Sequence, residues 1–188
     1  EAISEAQKEL GANVQPMYSA LDIGSLGKLL KPLGEIAFED AYNAFKEIVI
    51  AGDKAGADLI LIETVSDSYE IKAAVLAAKE NSNLPVVVTM IFDENGKLLT
   101  GGDVASVTAM LEGLGVDAIG FNCGLGPEQM LKLLPELTSC CSIPIAINPN
   151  AGLPVVIDGV TQFNVGPEEF AAKAKLLVEE GASMIGGC

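Results

Sequence analysis

The sequence predicts an α/β chain folded as a (β/α)8, or TIM, barrel, here a fragment with about six of the eight βα units. Three observations predict it. A unit of helix, glycine and short apolar strand recurs along the chain. The strands are apolar on both faces, as in a parallel sheet covered by helices. The residues with unusual chemistry lie at, or just past, the C-terminal ends of several different strands, where such barrels keep their active sites. Periodicity alone also suits an open doubly wound sheet. The position of those residues decides for the barrel, and no Gly-x-Gly-x-x-Gly follows any strand, which weakens a dinucleotide-binding fold.

The recurring unit shows in three stretches. They are Gly56-Ala57-Asp58-Leu59-Ile60-Leu61-Ile62-Glu63, Gly115-Val116-Asp117-Ala118-Ile119-Gly120-Phe121-Asn122-Cys123 and Gly181-Ala182-Ser183-Met184-Ile185-Gly186-Gly187-Cys188. The small residues let each helix end turn tightly into its strand. Two more strands interleave, over 84–91 and 143–147, and an earlier one is expected over about 14–21. Helices between them show three-and-four spacing of apolar residues. Phe38, Ala41, Phe45, Ile48 and Val49 form one such face; Ile71, Val75 and Ala78 form the next. Further faces are Val104, Val107, Leu111 and Leu114, then Met130, Leu133, Leu134 and Leu137, then Phe170, Ala174 and Leu177. Gly126-Pro127-Glu128 and Gly166-Pro167-Glu168-Glu169 mark two helix starts, with proline at the first position and acid in the first turn. Two connections are long. Residues 92–102 contain Asp93-Glu94-Asn95-Gly96, a turn signal that predicts a small β-hairpin. Residues 148–166 form a candidate lid.

Composition narrows the function. The chain has 188 residues, 49% of them hydrophobic, enough for one domain with a sizeable core. Lys and Arg total 11 against 26 acids, a formal charge of -15. Such a chain repels phosphate backbones and anionic lipid, so neither nucleic acid nor a membrane surface is an expected partner. No apolar run reaches the ~18 residues of a membrane span, and no signal-peptide pattern is visible. There is no histidine. Ser-His-Asp and Cys-His nucleophile systems and His-ligated metals are therefore excluded. The four cysteines, at 123, 140, 141 and 188, have no disulfide-scaffold spacing. Reduced thiols in a cytoplasm are expected.

The residues at the strand ends each carry two readings. Cys123 and Cys188 suit a small buried hydrophobe. They also suit a shared ion, because both end an apolar strand at a Gly-flanked turn. Strand ends one neighbour apart are roughly 10 Å apart, given about 5 Å between adjacent strands. Two thiolates and no histidine favour zinc, yet a catalytic zinc takes three protein ligands and an open position. Cys140 and Cys141 fall at the opposite end of the barrel and read as structural or incidental. Glu63 is either a solvated rim charge or an anion facing an ammonium or a metal. Asn148 and Asn150 flank Pro149 and fit a turn, or a weak amide ligand that a substrate displaces.

Together these segments resemble a known family. Gly120-Phe121-Asn122-Cys123, Asn148-Pro149-Asn150-Ala151-Gly152 and Gly186-Gly187-Cys188 are similar to the zinc-site segments of homocysteine S-methyltransferase domains. The family's last motif reads Gly-Gly-Cys-Cys, and its zinc ligands are the Cys of the first motif and both of the last. Cys123 and Cys188 match two of the three; the third would follow Cys188. Ile62-Glu63-Thr64 resembles the segment whose Glu holds the substrate amino group. The stretch from Asp22 to Gly34 resembles the cobalamin-dependent methionine synthases, and Thr64 stands where betaine-dependent members have Tyr.

The resemblance implies methyl transfer to the thiol of homocysteine, giving methionine. It implies zinc held by Cys123, Cys188 and Asn150, with Asn150 leaving when substrate arrives, and no catalytic residue beyond the metal site. Glu63, Thr64, Asn122 and Asn148 would bind substrate. Methylcobalamin on a separate domain is the implied donor, and the implied partners are the cobalamin-binding and methyltetrahydrofolate-binding domains of a parent protein. Residues 1–188 would be one partial homocysteine-binding barrel, roughly the third to eighth strands, with no second domain. Without the first two strands the fragment itself is expected to be inactive, and its open edges are expected to expose apolar inner surface and promote association. Two other readings remain at this point: a pterin-binding barrel methyltransferase without zinc, and a non-catalytic scaffold fragment.

Overall fold

The computed structural model describes residues 2–11, 15–157 and 159–188. The elements run α1 (Ala2–Leu10), β1 (Ala20–Ile23), α2 (Phe38–Lys54), β2 (Leu59–Val65), α3 (Ser68–Asn81), β3 (Val86–Met90) and α4 (Val104–Gly113). They continue β4 (Ala118–Asn122), α5 (Pro127–Cys140), β5 (Ile145–Asn148), β6 (Pro154–Ile157), β7 (Val160–Phe163), α6 (Pro167–Glu179) and β8 (Met184–Ile185). Six strands form one parallel sheet in the order β1-β2-β3-β4-β5-β8. Chain order and spatial order agree throughout, with no reversal. A doubly wound sheet reverses at a switch point, so this order marks the wall of a barrel.

The two faces of the sheet hold different residues. The outer face and the helices share the main core, which includes Phe45, Val49, Ile60, Ile62, Ile71, Val88, Leu111, Ile119, Leu134 and Ile147. Phe45 is 1% exposed, and truncating such a residue to alanine costs about 3–5 kcal/mol. The inner face carries a separate, smaller cluster of Val87, Ala118 and Ala146 with Leu59 and Leu61. Small side chains let the sheet curl tightly. At Gly120 any Cβ would lie 1.5 Å from the Ala146 carbonyl oxygen, so only glycine fits where β5 leans on β4.

Local chemistry starts the helices where expected. Pro127 and Pro167 open α5 and α6 with acids in the first turn. Asp67 caps α3 by accepting from the Tyr69 N–H at 2.9 Å, and Asp103 and Ser106 form a reciprocal capping box on α4. Several expectations need correction. The first strand of the sheet covers 20–23, not about 14–21, and Val14 lies outside the described residues. Residues 92–102 form tight turns with a single antiparallel bridge, Lys97 to Asp103, because Phe92 and Leu98 are drawn into the core instead of pairing. The β-hairpin lies in the candidate lid, where β6 and β7 pair antiparallel. On the inner face Val87, Ala118 and Ala146 are buried, while Leu59 and Leu61 are only partly buried and Met184, at the β8 edge, is exposed.

Candidate metal and substrate site

β4 and β8 each deliver one cysteine to the same place. Cys123 follows Asn122 at the end of β4, in a left-handed conformation with φ 54°. That is uncommon for a residue with a side chain and marks a constrained turn. Its N–H donates to the Asn148 carbonyl at 3.2 Å, tying the β4 end to the β5 end. Cys188 is fixed in turn by its own N–H, 3.0 Å from the Pro149 carbonyl. The Cys123 thiol lies beside that of Cys188. Burial of its thiol, then the Cys123 sulfur and the Glu63 charge, push the Cys188 thiol up from its ordinary value. Asn122 Nδ2 stands 3.9 Å from Cys188 Sγ.

β2 supplies the acid. Its pairing with β3 shifts register between Ile62 and Val65, a bulge that carries Glu63 and Thr64. Thr64 has φ 60° and is pinned by Asn122, whose Oδ1 accepts from the Thr64 N–H at 3.0 Å and whose Nδ2 donates to Thr64 Oγ1 at 2.6 Å. Bulges re-aim side chains and collect at active sites. Glu63 is half-buried, and burial first, then the charge of Asp22, raise its carboxyl above the ordinary value. Neither acid has a salt-bridge partner among the described residues.

The amides divide. Asn148 lies against the β8 turn, since a Cβ at Gly186 would sit 2.5 Å from Asn148 Oδ1. Asn150 is held beside the Cys123 turn by its N–H to the Leu125 carbonyl, 3.0 Å. Cys140 and Cys141 end α5 just before β5, at the opposite end of the sheet, where Cys141 Sγ donates to the Ile143 carbonyl. Among the described residues, no group of three or more His, Cys, Asp or Glu side chains is arranged to hold a metal. No described helix is long and apolar enough to cross a membrane.

Sequence reasoning thus brought Cys123, Cys188, Glu63, Thr64, Asn122 and Asn148 to one mouth. It missed Asp22 as the neighbour of Glu63, and it missed Thr89, the one polar residue of β3. A threonine inside Val-Val-Val-Thr-Met was a readable signal, because a strand buried on both faces has no solvent for a hydroxyl.

A parallel barrel wall with paired thiols and an acid at its C-terminal mouth has the layout of a barrel enzyme. The homocysteine S-methyltransferase family model matches residues 1–188. The chain belongs to that family. It is 34% identical over 181 residues to a methionine synthase of Mycobacterium leprae, covering 92% of this chain and 15% of that protein. A methionine synthase of Mycobacterium tuberculosis is 34% identical over 186 residues, covering 96% and 16%. The chain therefore spans about a sixth of the length of these relatives. Among solved structures, the apo form of the homocysteine methyltransferase MmuM from Escherichia coli superposes with a TM-score of 0.80 at 22% identity, over 100% of this chain and 64% of that one. The metallated form of the same enzyme gives 0.66 at 25% identity, over 82% and 48%.

Proposed function

We propose that residues 1–188 form the homocysteine-binding part of a zinc-dependent methyltransferase that makes methionine, with methylcobalamin, carried on another domain, as the methyl donor. The observation that carries this reading is that Cys123, after β4, and Cys188, after β8, are both tied by their N–H groups to the same end of β5, at Asn148 and Pro149. The methionine synthase relatives support the reaction, and the metallated form of the homocysteine methyltransferase neighbour supports the use of a metal.

The donor set fits zinc in kind. Two neighbouring thiols suit a soft or borderline ion, and the nearby carboxamides are weak ligands. Cys123 and Cys188 would hold the metal, with Asn150 as the displaceable ligand and a third thiolate, after Cys188, completing the set. Zinc, when bound, makes a coordinated thiol a nucleophile at neutral pH. The chain itself needs no general base for this, consistent with its lack of histidine. Glu63 takes the substrate ammonium and so fixes the direction in which the homocysteine sulfur points. Asn122 holds Thr64, and with it the bulge, in the conformation that presents Glu63. A methyl donor docked over the mouth would supply the methyl group to the sulfur that Glu63 and the cysteines hold in place.

The test is zinc affinity in two chains, one ending at Cys188 and one with a further cysteine added. The extended chain is expected to bind one zinc tightly, the shorter one weakly, and Cys123→Ser is expected to abolish the difference. Equal affinity in both chains, or none in either, counts against the proposal. Zinc-free catalysis would instead favour the pterin-binding reading.

A further inference from the structure

The barrel mouth contains a polar group that the proposed chemistry leaves unused. Thr89, in β3, is fully buried, and its Oγ1 has no hydrogen-bond partner among the described residues. A buried hydroxyl left unpaired costs about 1–3 kcal/mol, and folded proteins retain few. The other such hydroxyl, on Thr108, belongs to the helical layer in α4.

Pairing and packing put Thr89 beside the substrate end of the site. It alternates along the strand with Val87, a member of the interior cluster, so it points into the barrel. On one side it faces the bulge: Ile62 pairs with Val88 and Val65 with Met90, so Glu63 and Thr64 together oppose Thr89 alone. On the other side it pairs with Gly120, which has no side chain.

We propose that Thr89 is a substrate-binding residue, its hydroxyl oxygen accepting a hydrogen bond from the amino group of homocysteine beside the Glu63 carboxylate. This rests on the function proposed above. An ammonium has three N–H donors to satisfy. A hydroxyl adds an acceptor without adding to the negative charge of Glu63 and Asp22, and its own proton is free to donate to the carboxylate. As the side chains stand the hydroxyl is covered. Substrate binding therefore requires that the hydroxyl be uncovered on the side of the bulge.

Thr89→Val keeps the shape and removes the hydroxyl, and Thr89→Ser keeps the hydroxyl. Homocysteine and 4-mercaptobutyrate, which lacks only the amino group, are titrated calorimetrically into the full-length protein with zinc present. The wild type is expected to prefer homocysteine. Thr89→Val is expected to lose about tenfold in homocysteine affinity, the worth of one hydrogen bond to a charged group, with 4-mercaptobutyrate unchanged. Thr89→Ser should keep the preference. Thr89→Val should also melt no lower than wild type, because it removes an unpaired polar group. If Thr89→Val retains the preference, or weakens both ligands equally, the assignment is overturned while the parent reading stands. If the wild type binds both ligands alike, the roles of Thr89 and Glu63 fall together, and if it binds neither, the proposed function falls with them.

Discussion

Asn122 is fully buried, and both ends of its amide are used on Thr64. That pairing explains how a β-branched residue stays at φ 60°, a conformation such residues rarely adopt. Removing the amide frees the strained residue but orphans its N–H. Asn122→Ala is therefore expected to cost about 1–3 kcal/mol in chemical denaturation. Its effect on homocysteine should exceed its effect on stability, because Glu63 rides on the same bulge. A variant that unfolds at lower denaturant yet binds homocysteine normally would show that the bulge does not present the acid. Glu63 was legible from its strand end, and Asn122 only through the resemblance of the Gly120–Cys123 segment. The sequence could not show that one amide spans two strands to hold the other's backbone, because that depends on the register of β2, β3 and β4.

Helix starts were legible because they are local. In Gly-Pro-Glu the proline has no N–H to satisfy and the acid suits the positive end of the helix, so the signal needs only its own residues. The hairpin was misplaced for the opposite reason. Asp93-Glu94-Asn95-Gly96 does turn, but a turn makes a hairpin only if its flanks find each other, and here Phe92 and Leu98 find the core. Asp158-Gly159, between Val155-Val156 and Val160, was the better two-residue signal. Between α3 and the loop after β1, the contact is equally non-local. Glu70, on the first turn of α3, is buried and accepts from Ser25 Oγ at 2.9 Å and from the Leu26 N–H at 2.5 Å. Burial outweighs these bonds and raises its carboxyl above the ordinary 4.5. The folded state then holds the Glu70 proton more tightly than the unfolded state, so stability from this group declines as pH rises from about 4.5 through the raised value. Glu70→Gln mimics the protonated form. Its stability relative to wild type is expected to grow with pH over that window in urea melts. A gap that is flat with pH, or that shrinks, would mean the two hydrogen bonds outweigh burial.

Taken as a molecule, the sheet has two lateral strands with one neighbour each, β1 and β8. Barrel closure normally removes such edges, which otherwise template pairing with another chain. The β1 edge carries Asp22, and charge on an edge discourages pairing. The β8 edge is different: Met184 is 39% exposed and Ile185 37%. Convergence of the site residues was legible because every barrel strand ends at the same mouth. The tight curl was not, because it depends on the backbone contact between Gly120 and Ala146. That curl buries Val87, Ala118 and Ala146, while β8 remains an edge with Met184 and Ile185 exposed. The formal charge of -15 opposes association, and salt screens that repulsion within about 10 Å at 0.1 M. Self-association is therefore expected to increase with salt, against the behaviour of a contact made by ion pairs. Ile185→Lys puts a charge on the β8 edge and should hold the chain monomeric at both low and high salt in sedimentation velocity. If the wild type is instead most associated at low salt, or Ile185→Lys associates as strongly, the contact lies elsewhere, and the exposed apolar residues Val156 and Phe163 of the β6–β7 hairpin are the next surface to charge.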